Sequence, residues 1–311
     1  MKKKLISMLL CLAMAGVMAT GCGNGEKSGT EENKAEGAET SEAEKGTIVM
    51  GGKNFTEAFL LSELYSLALE DNGYEVERVF NMSTDTLTPA IQGDEVDLYP
   101  EYTGTALTDI LGQELETDLD TIYETISSEF ESQWDIKWLE LTSMEDKVAV
   151  VMLKEKADEL NVTNLTELQK KSEGLVLGDG VNFAEREDDL LRLNKIYGEF
   201  AFEVENVDYS LAYSCLDDGT VDVIPGLTTD PQLLDEKYVV IEEDIPVWPP
   251  QYVAPIVRGE ILEQYPEVEE ILNTVSEKLS TEDMIKMLDE VVNGGEEYED
   301  VATEFYEANC K

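Results

Sequence analysis

The sequence predicts an α/β protein of two lobes with a ligand cleft between them. Three observations predict it. Strand-like and helix-like segments alternate along the chain, which argues for mostly parallel sheets. Two apolar β-like runs, 148–153 and 252–257, divide the alternation into two series. After the second run the chain is nearly all helical in period.

The elements follow in order. Residues 47–50 are a β-prone run ending in Gly51-Gly52. Residues 56–71 place Phe59, Leu60, Leu64, Leu67 and Leu69 at helical spacing, and Asn72-Gly73 supplies a stop. Residues 74–80 alternate like a strand, 84–92 read as a short helix and 96–99 as a strand. Helices are expected near 105–111 and 119–132, then a strand near 136–139. The second series opens with the β-branched run 148–153. Helices at 165–171, 184–197 and 210–216 then alternate with strands at 175–177, 221–224 and 238–241. Beyond 252–257 come helices at 268–279, 281–292 and 298–309, with Thr281, Glu282 and Asp283 as the expected cap of the second. The expected division is a first lobe over 47–150, a second over 151–251, and a return to the first over 252–311. The runs 148–153 and 252–257 are the expected crossing segments. No internal repeat appears.

Composition removes whole classes of function. Asp and Glu total 69 against 22 Lys and Arg, a formal charge of -47. Such a surface repels nucleic acid and anionic lipid. Histidine is absent, which removes Ser-His-Asp and Cys-His catalysis and His-ligated metals. No calcium-loop pattern occurs, so no metal and no cofactor are expected. Paired carboxylates of a glycosidase type remain the one enzymatic alternative, and no spacing singles out a pair. Cys215 and Cys310 are candidates for a disulfide or for two free thiols.

Lys2, Lys3 and Lys4 precede an apolar stretch of about 13 residues, too short to span a bilayer. Ala19-Thr20-Gly21-Cys22 follows and resembles the lipobox of bacterial lipoproteins, with cleavage before a lipid-bearing Cys22. Residues 1–21 are thus expected to be a leader. Residues 22–46, rich in Gly, Ser, Thr, Glu and Lys, are expected to be a flexible tether. No other stretch is long and apolar enough to span a bilayer, so the expected membrane attachment is the lipid alone, on the extracytoplasmic face.

Two sequence words go further than periodicity. Gly52-Lys53-Asn54-Phe55-Thr56-Glu57 and the stretch Gly93-Asp94-Glu95-Val96-Asp97-Leu98-Tyr99-Pro100-Glu101-Tyr102-Thr103-Gly104-Thr105 resemble motifs of the glycine betaine, carnitine and choline-binding proteins of ABC osmoprotectant importers. Weaker matches lie at Phe183 to Asp188, Val221-Asp222-Val223, Thr228-Thr229-Asp230 and Trp248-Pro249-Pro250. The resemblance covers essentially 47–311. It implies a periplasmic-binding-protein-like clamp of type II, a monomer, with an ABC permease as partner. Such proteins hold a quaternary ammonium in aromatic rings, because that group has no N–H to donate. They pin the carboxylate with donors.

Carried over residue by residue, Tyr102 matches the cage tyrosine and Thr105 the ligand-facing threonine. Lys53 and Arg186 match residues near the carboxylate, and Asp146 falls at a polar ligand contact. Trp248 and Tyr252 offer rings from a stretch shifted by one residue. Each has a plain structural alternative, such as a half-buried strand-end tyrosine, a helix cap, a solvated lysine or a surface ion pair. The departures are Val148 and Leu227 where the family places tyrosines, Ala58 where a glutamine is common, and Asn182 in place of an acid. The expected function is therefore capture of a betaine-type osmoprotectant for a permease. The alternatives are the same clamp on another carboxylate-bearing, bulkier solute, and a surface sensor without transport.

Overall fold

The computed structural model describes residues 45–180 and 182–311. The expected leader, Cys22 and the tether up to residue 44 lie outside the described residues. Among the described residues, no helix is long and apolar enough to cross a membrane.

Among the described residues ten strands form two five-stranded sheets. The first sheet takes β1 (Thr47–Lys53), β2 (Glu75–Met82), β3 (Leu98–Tyr102), β4 (Ile136–Trp138) and β10 (Val253–Arg258), in the order β2-β1-β3-β10-β4. The second takes β5 (Val148–Leu153), β6 (Val176–Asp179), β7 (Glu203–Asn206), β8 (Val223–Leu227) and β9 (Tyr238–Val240), in the order β7-β6-β8-β5-β9. β1 runs parallel to β2 and β3, and β6 parallel to β7 and β8. β10 and β5 each run antiparallel to both their neighbours. Each sheet is covered on both faces by apolar clusters, the arrangement that parallel strands require.

The runs 148–153 and 252–257 do not cross between lobes as expected. The first is an internal strand of the second sheet, and most of the second run is an internal strand of the first. The reason is physical. A fully apolar run needs partners on both edges and cover on both faces, which a linker cannot give. The crossings lie just before them, around Glu145 to Lys147 and Pro249 to Tyr252. These two segments pair with each other: Glu145 bridges Tyr252 antiparallel, and the Asp146 N–H donates to the Gln251 carbonyl at 3.0 Å. Within the first sheet Pro100 and Pro255 face each other in register. The two donors that proline removes are therefore lost at one place in the ladder.

Helix Thr56–Asp71 is buried on almost every side, between the first sheet and the C-terminal helices. Its buried polar groups are matched. Ser62 Oγ donates to the Gly51 carbonyl at 3.1 Å, and Glu63 takes a bidentate pair from Arg78 at 2.7 and 2.8 Å. Three C-terminal helices, Glu267–Ser276, Thr281–Val292 and Tyr298–Asn309, close the first lobe. The second is capped by Ser280, one residue before the expected cap, in a reciprocal box with Asp283.

The expected helix 184–197 begins only at Leu190. Before it the Asp179 carboxylate accepts from the Phe183 and Ala184 N–H groups at 2.8 and 3.0 Å, pinning a loop. No disulfide forms. Cys215 packs in a cluster of the second lobe and Cys310 in one of the first, and both are free thiols.

Candidate functional site

A cavity of about 410 Å³ lies where the two lobes and the two crossings meet. Thr105, Thr108 and Asp109 come from the short helical turn that follows β3. Asp146, Lys147, Pro249 and Gln251 come from the crossings. Val148, Leu227, Trp248 and the loop residues Arg186, Asp188 and Asp189 come from the second lobe. Gly104 lets this turn approach the second crossing, since a Cβ there would meet the Gln251 side chain at 2.8 Å.

The cavity is acidic. Asp109, Asp146, Asp188 and Asp189 face Lys147 and Arg186, four carboxylates against two cations. Both cations are already matched. The Arg186 guanidinium bonds Asp188 at 2.7 Å and Asp189 at 2.9 Å, and Lys147 bonds Glu243 at 3.0 Å. The Trp248 indole N–H lies 3.1 Å from the Asp188 carbonyl and 3.2 Å from the Asp189 carboxylate, and its ring packs against Phe183. Burial pushes the Asp189 carboxyl above its usual range, against the pull of Arg186.

Of the residues singled out from sequence, the cavity therefore brings Thr105, Asp146, Arg186 and Trp248 together. Lys53 and Tyr102 do not line it. Lys53 is buried and paired with the buried Glu101, and its ammonium lies 5.0 Å from the centre of the Tyr102 ring. The Tyr102 hydroxyl donates to Glu57 at 2.6 Å. Tyr252 sits on the crossing, with its N–H donating to Thr103 Oγ1 at 3.1 Å, and does not line the cavity either.

Glu57 links the two groups of residues. Burial first, and then the charge of Asp146, raise its pKa to about 8. Asp146 is itself raised to about 6, chiefly by burial, while accepting from Thr229 Oγ1 at 3.0 Å. Burial also raises Asp230, which accepts from the Tyr213 hydroxyl at 2.7 Å. Sequence reasoning passed over Glu57, Lys147, Asp188, Asp189 and Gln251. Glu57 lay in plain view as the last residue of the opening motif. Gln251 was visible only as a shift in register. Among the described residues, no group of acids and cysteines is placed to hold a metal ion.

Residues 46–308 match the family model described as the substrate binding domain of ABC-type glycine betaine transport system. The chain is 28% identical over 243 residues to an ergothioneine transport permease/ergothioneine binding protein of Helicobacter pylori, covering 78% of this chain and 44% of that one. The chain thus spans less than half the length of that relative. It is 26% identical to a glycine-betaine-binding protein of Pseudomonas aeruginosa, covering 87% of this chain and 84% of that protein. It is 27% identical to a carnitine transport binding protein of Listeria monocytogenes, covering 85% and 87%. Among solved structures, a glycine betaine/carnitine/choline ABC transporter protein superposes with a TM-score of 0.78 at 24% identity, covering 84% of this chain and 97% of that one. That likeness carries the two-lobed binding-protein fold and nothing finer.

Proposed function

The chain belongs to the family of substrate-binding domains of ABC-type glycine betaine transport systems, and we propose that it captures a trimethylammonium carboxylate larger than glycine betaine and hands it unchanged to a permease. The family binds substrate for membrane transporters and is not enzymatic. Lipid anchoring through Cys22 on the extracytoplasmic face is part of this proposal. It rests on the leader and the Ala19-Thr20-Gly21-Cys22 sequence alone.

The observation that carries the reading is the make-up of the cavity. A volume of about 410 Å³ falls within the span typical of small-molecule sites. Glycine betaine, smaller than the carnitine and ergothioneine named in the relatives, would leave much of it unfilled. Two excess carboxylates and the single ring of Trp248 replace a full aromatic cage as the attraction for a cation. Val148 and Leu227 meet across the antiparallel pair β5–β8 and add an apolar wall that suits a bulkier solute. Thr105, Asp146, Arg186 and Trp248 are the proposed contacts at the cavity. Lys53, Tyr102 and Tyr252 are proposed as the layer beside it. Closure would turn on the paired crossings, with ligand shifting an open–closed balance.

The test is a thermal-shift and calorimetric panel of ergothioneine, carnitine, glycine betaine, choline and proline. A ligand at about 100 times its dissociation constant stabilises by about 2.7 kcal/mol. Carnitine or ergothioneine should bind more tightly than glycine betaine and be recovered chemically intact. No melting shift with any quaternary ammonium at millimolar concentration would sink the reading.

A further inference from the structure

Gln251 lies on the second crossing and lines the cavity. Its Oε1 accepts from the backbone N–H of Gly104 at 3.1 Å and of Thr105 at 3.2 Å. Two backbone donors can face only an oxygen, which fixes the orientation of this amide. The Nε2 group then points the other way across the amide. It carries two N–H donors and makes no hydrogen bond among the described residues. The Thr105 hydroxyl, which also lines the cavity, likewise has no partner among them.

The charged donors nearby stand in contrast. Arg186 is held by Asp188 and Asp189, Lys147 by Glu243, and Lys53 by Glu101. A ligand carboxylate that approached Nε or Nη2 of Arg186 would have to displace Asp188 or Asp189, whose charges already balance the guanidinium. It displaces nothing at the Gln251 amide.

We propose that Gln251 determines specificity by donating its free amide N–H to the carboxylate of the bound solute, with the Thr105 hydroxyl beside it. The assignment rests on the binding reading above and deepens it. A neutral amide suits this acidic cavity. It offers donors to the carboxylate end without drawing the ligand's ammonium away from the aspartates. Because its oxygen is tied to the turn after β3 and its backbone to the second crossing, the donor is held in place before the ligand arrives.

The test uses two variants and two kinds of probe in calorimetric titration of the full chain. Gln251→Glu keeps the oxygen that Gly104 and Thr105 hold and turns the donor into a second acceptor. Gln251→Met removes the donor without adding charge. The carboxylate probes are carnitine and glycine betaine. Choline, with a hydroxyl in place of the carboxylate, is the comparison. Gln251→Glu should weaken both carboxylate probes about tenfold or more, as loss of a hydrogen bond to a charged group does. Gln251→Met should weaken them in the same sense and by less, and it decides the matter if the glutamate variant does not fold. Choline affinity should hold or rise. Equal losses for choline and the carboxylates, or no loss for any, would overturn the assignment and leave the binding reading intact. A wild-type chain that binds none of the probes would overturn the binding reading, and this assignment with it.

Discussion

Glu57 stands in the first turn of its helix, where the dipole favours an ionised carboxylate by up to about 1–2 kcal/mol. Burial wins over that contribution, and the nearby Asp146 charge adds to it, so the folded pKa rises to about 8 from 4.5. The sign of the linkage follows. Between about pH 4.5 and 8 the folded state holds a proton that the unfolded state has released. Stability contributed by this group is complete below the lower value and is lost as pH rises through the upper one. Asp146, raised to about 6, acts in the same direction over a lower window. Glu57→Gln removes the titration while keeping an oxygen to accept from Tyr102. At pH 5 the variant and the parent should melt alike. At pH 8 the variant should be the more stable by about 4 kcal/mol, on the order of 10 °C for a body of this size. A difference in melting temperature that does not change between those two pH values would remove Glu57 as a buried, protonated group.

The elements that matter most are the two crossings, and the Thr228 side chain ties the backbone of the first to the second lobe. Thr228 follows β8. Its hydroxyl accepts from the Lys147 N–H at 2.8 Å and donates to the Glu145 carbonyl at 2.7 Å. Thr228→Val is close to isosteric and strips both bonds from the backbone of the first crossing. Chemical denaturation should show a loss of about 1–3 kcal/mol with an unchanged denaturant slope. A loss below ~0.5 kcal/mol would mean that water replaces the hydroxyl and that the tie is not structural. This link was not legible in the sequence, where the apolar runs themselves passed for the crossings. Periodicity reports what a segment buries, and Glu145 to Lys147 buries nothing at a regular spacing. The same limit hid β7, Glu203–Asn206, an edge strand with all four residues exposed. Where burial is one-sided and regular, the reading held: the C-terminal helices 281–292 and 298–309 have the bounds expected of them. Thr105, Asp146, Arg186 and Trp248, singled out from sequence words alone, line one cavity. Their pairing could not be read from those words, because the carboxylates that engage Arg186 sit two and three residues further along its own loop. A side chain's partners there depend on how the loop is pinned by Asp179, which no local pattern announces.

Across the whole molecule the excess of acidic residues, -47 in formal charge, acts at distances that no single contact reaches. Its field decays over roughly 30 Å at 0.01 M salt and about 3 Å at 1 M. A solute with net positive charge is drawn toward the surface at low salt and loses that attraction as salt is added. A zwitterion has no net charge for the distant field to act on, and it meets the protein's charges one end at a time only inside the cleft. Choline and glycine betaine share the trimethylammonium and differ in this one respect. Stopped-flow association of choline should therefore slow about tenfold or more between low and molar salt. Association of glycine betaine should change less than about threefold, while dissociation of both stays nearly constant. The comparison separates two uses of the acidic residues. If the two solutes slow in parallel, the charge acts through local contacts in the cavity, where both present the same cation. If only choline slows, the surface as a whole gathers cations. Selection of a carboxylate-bearing solute must then be made at short range, by donors in the cavity.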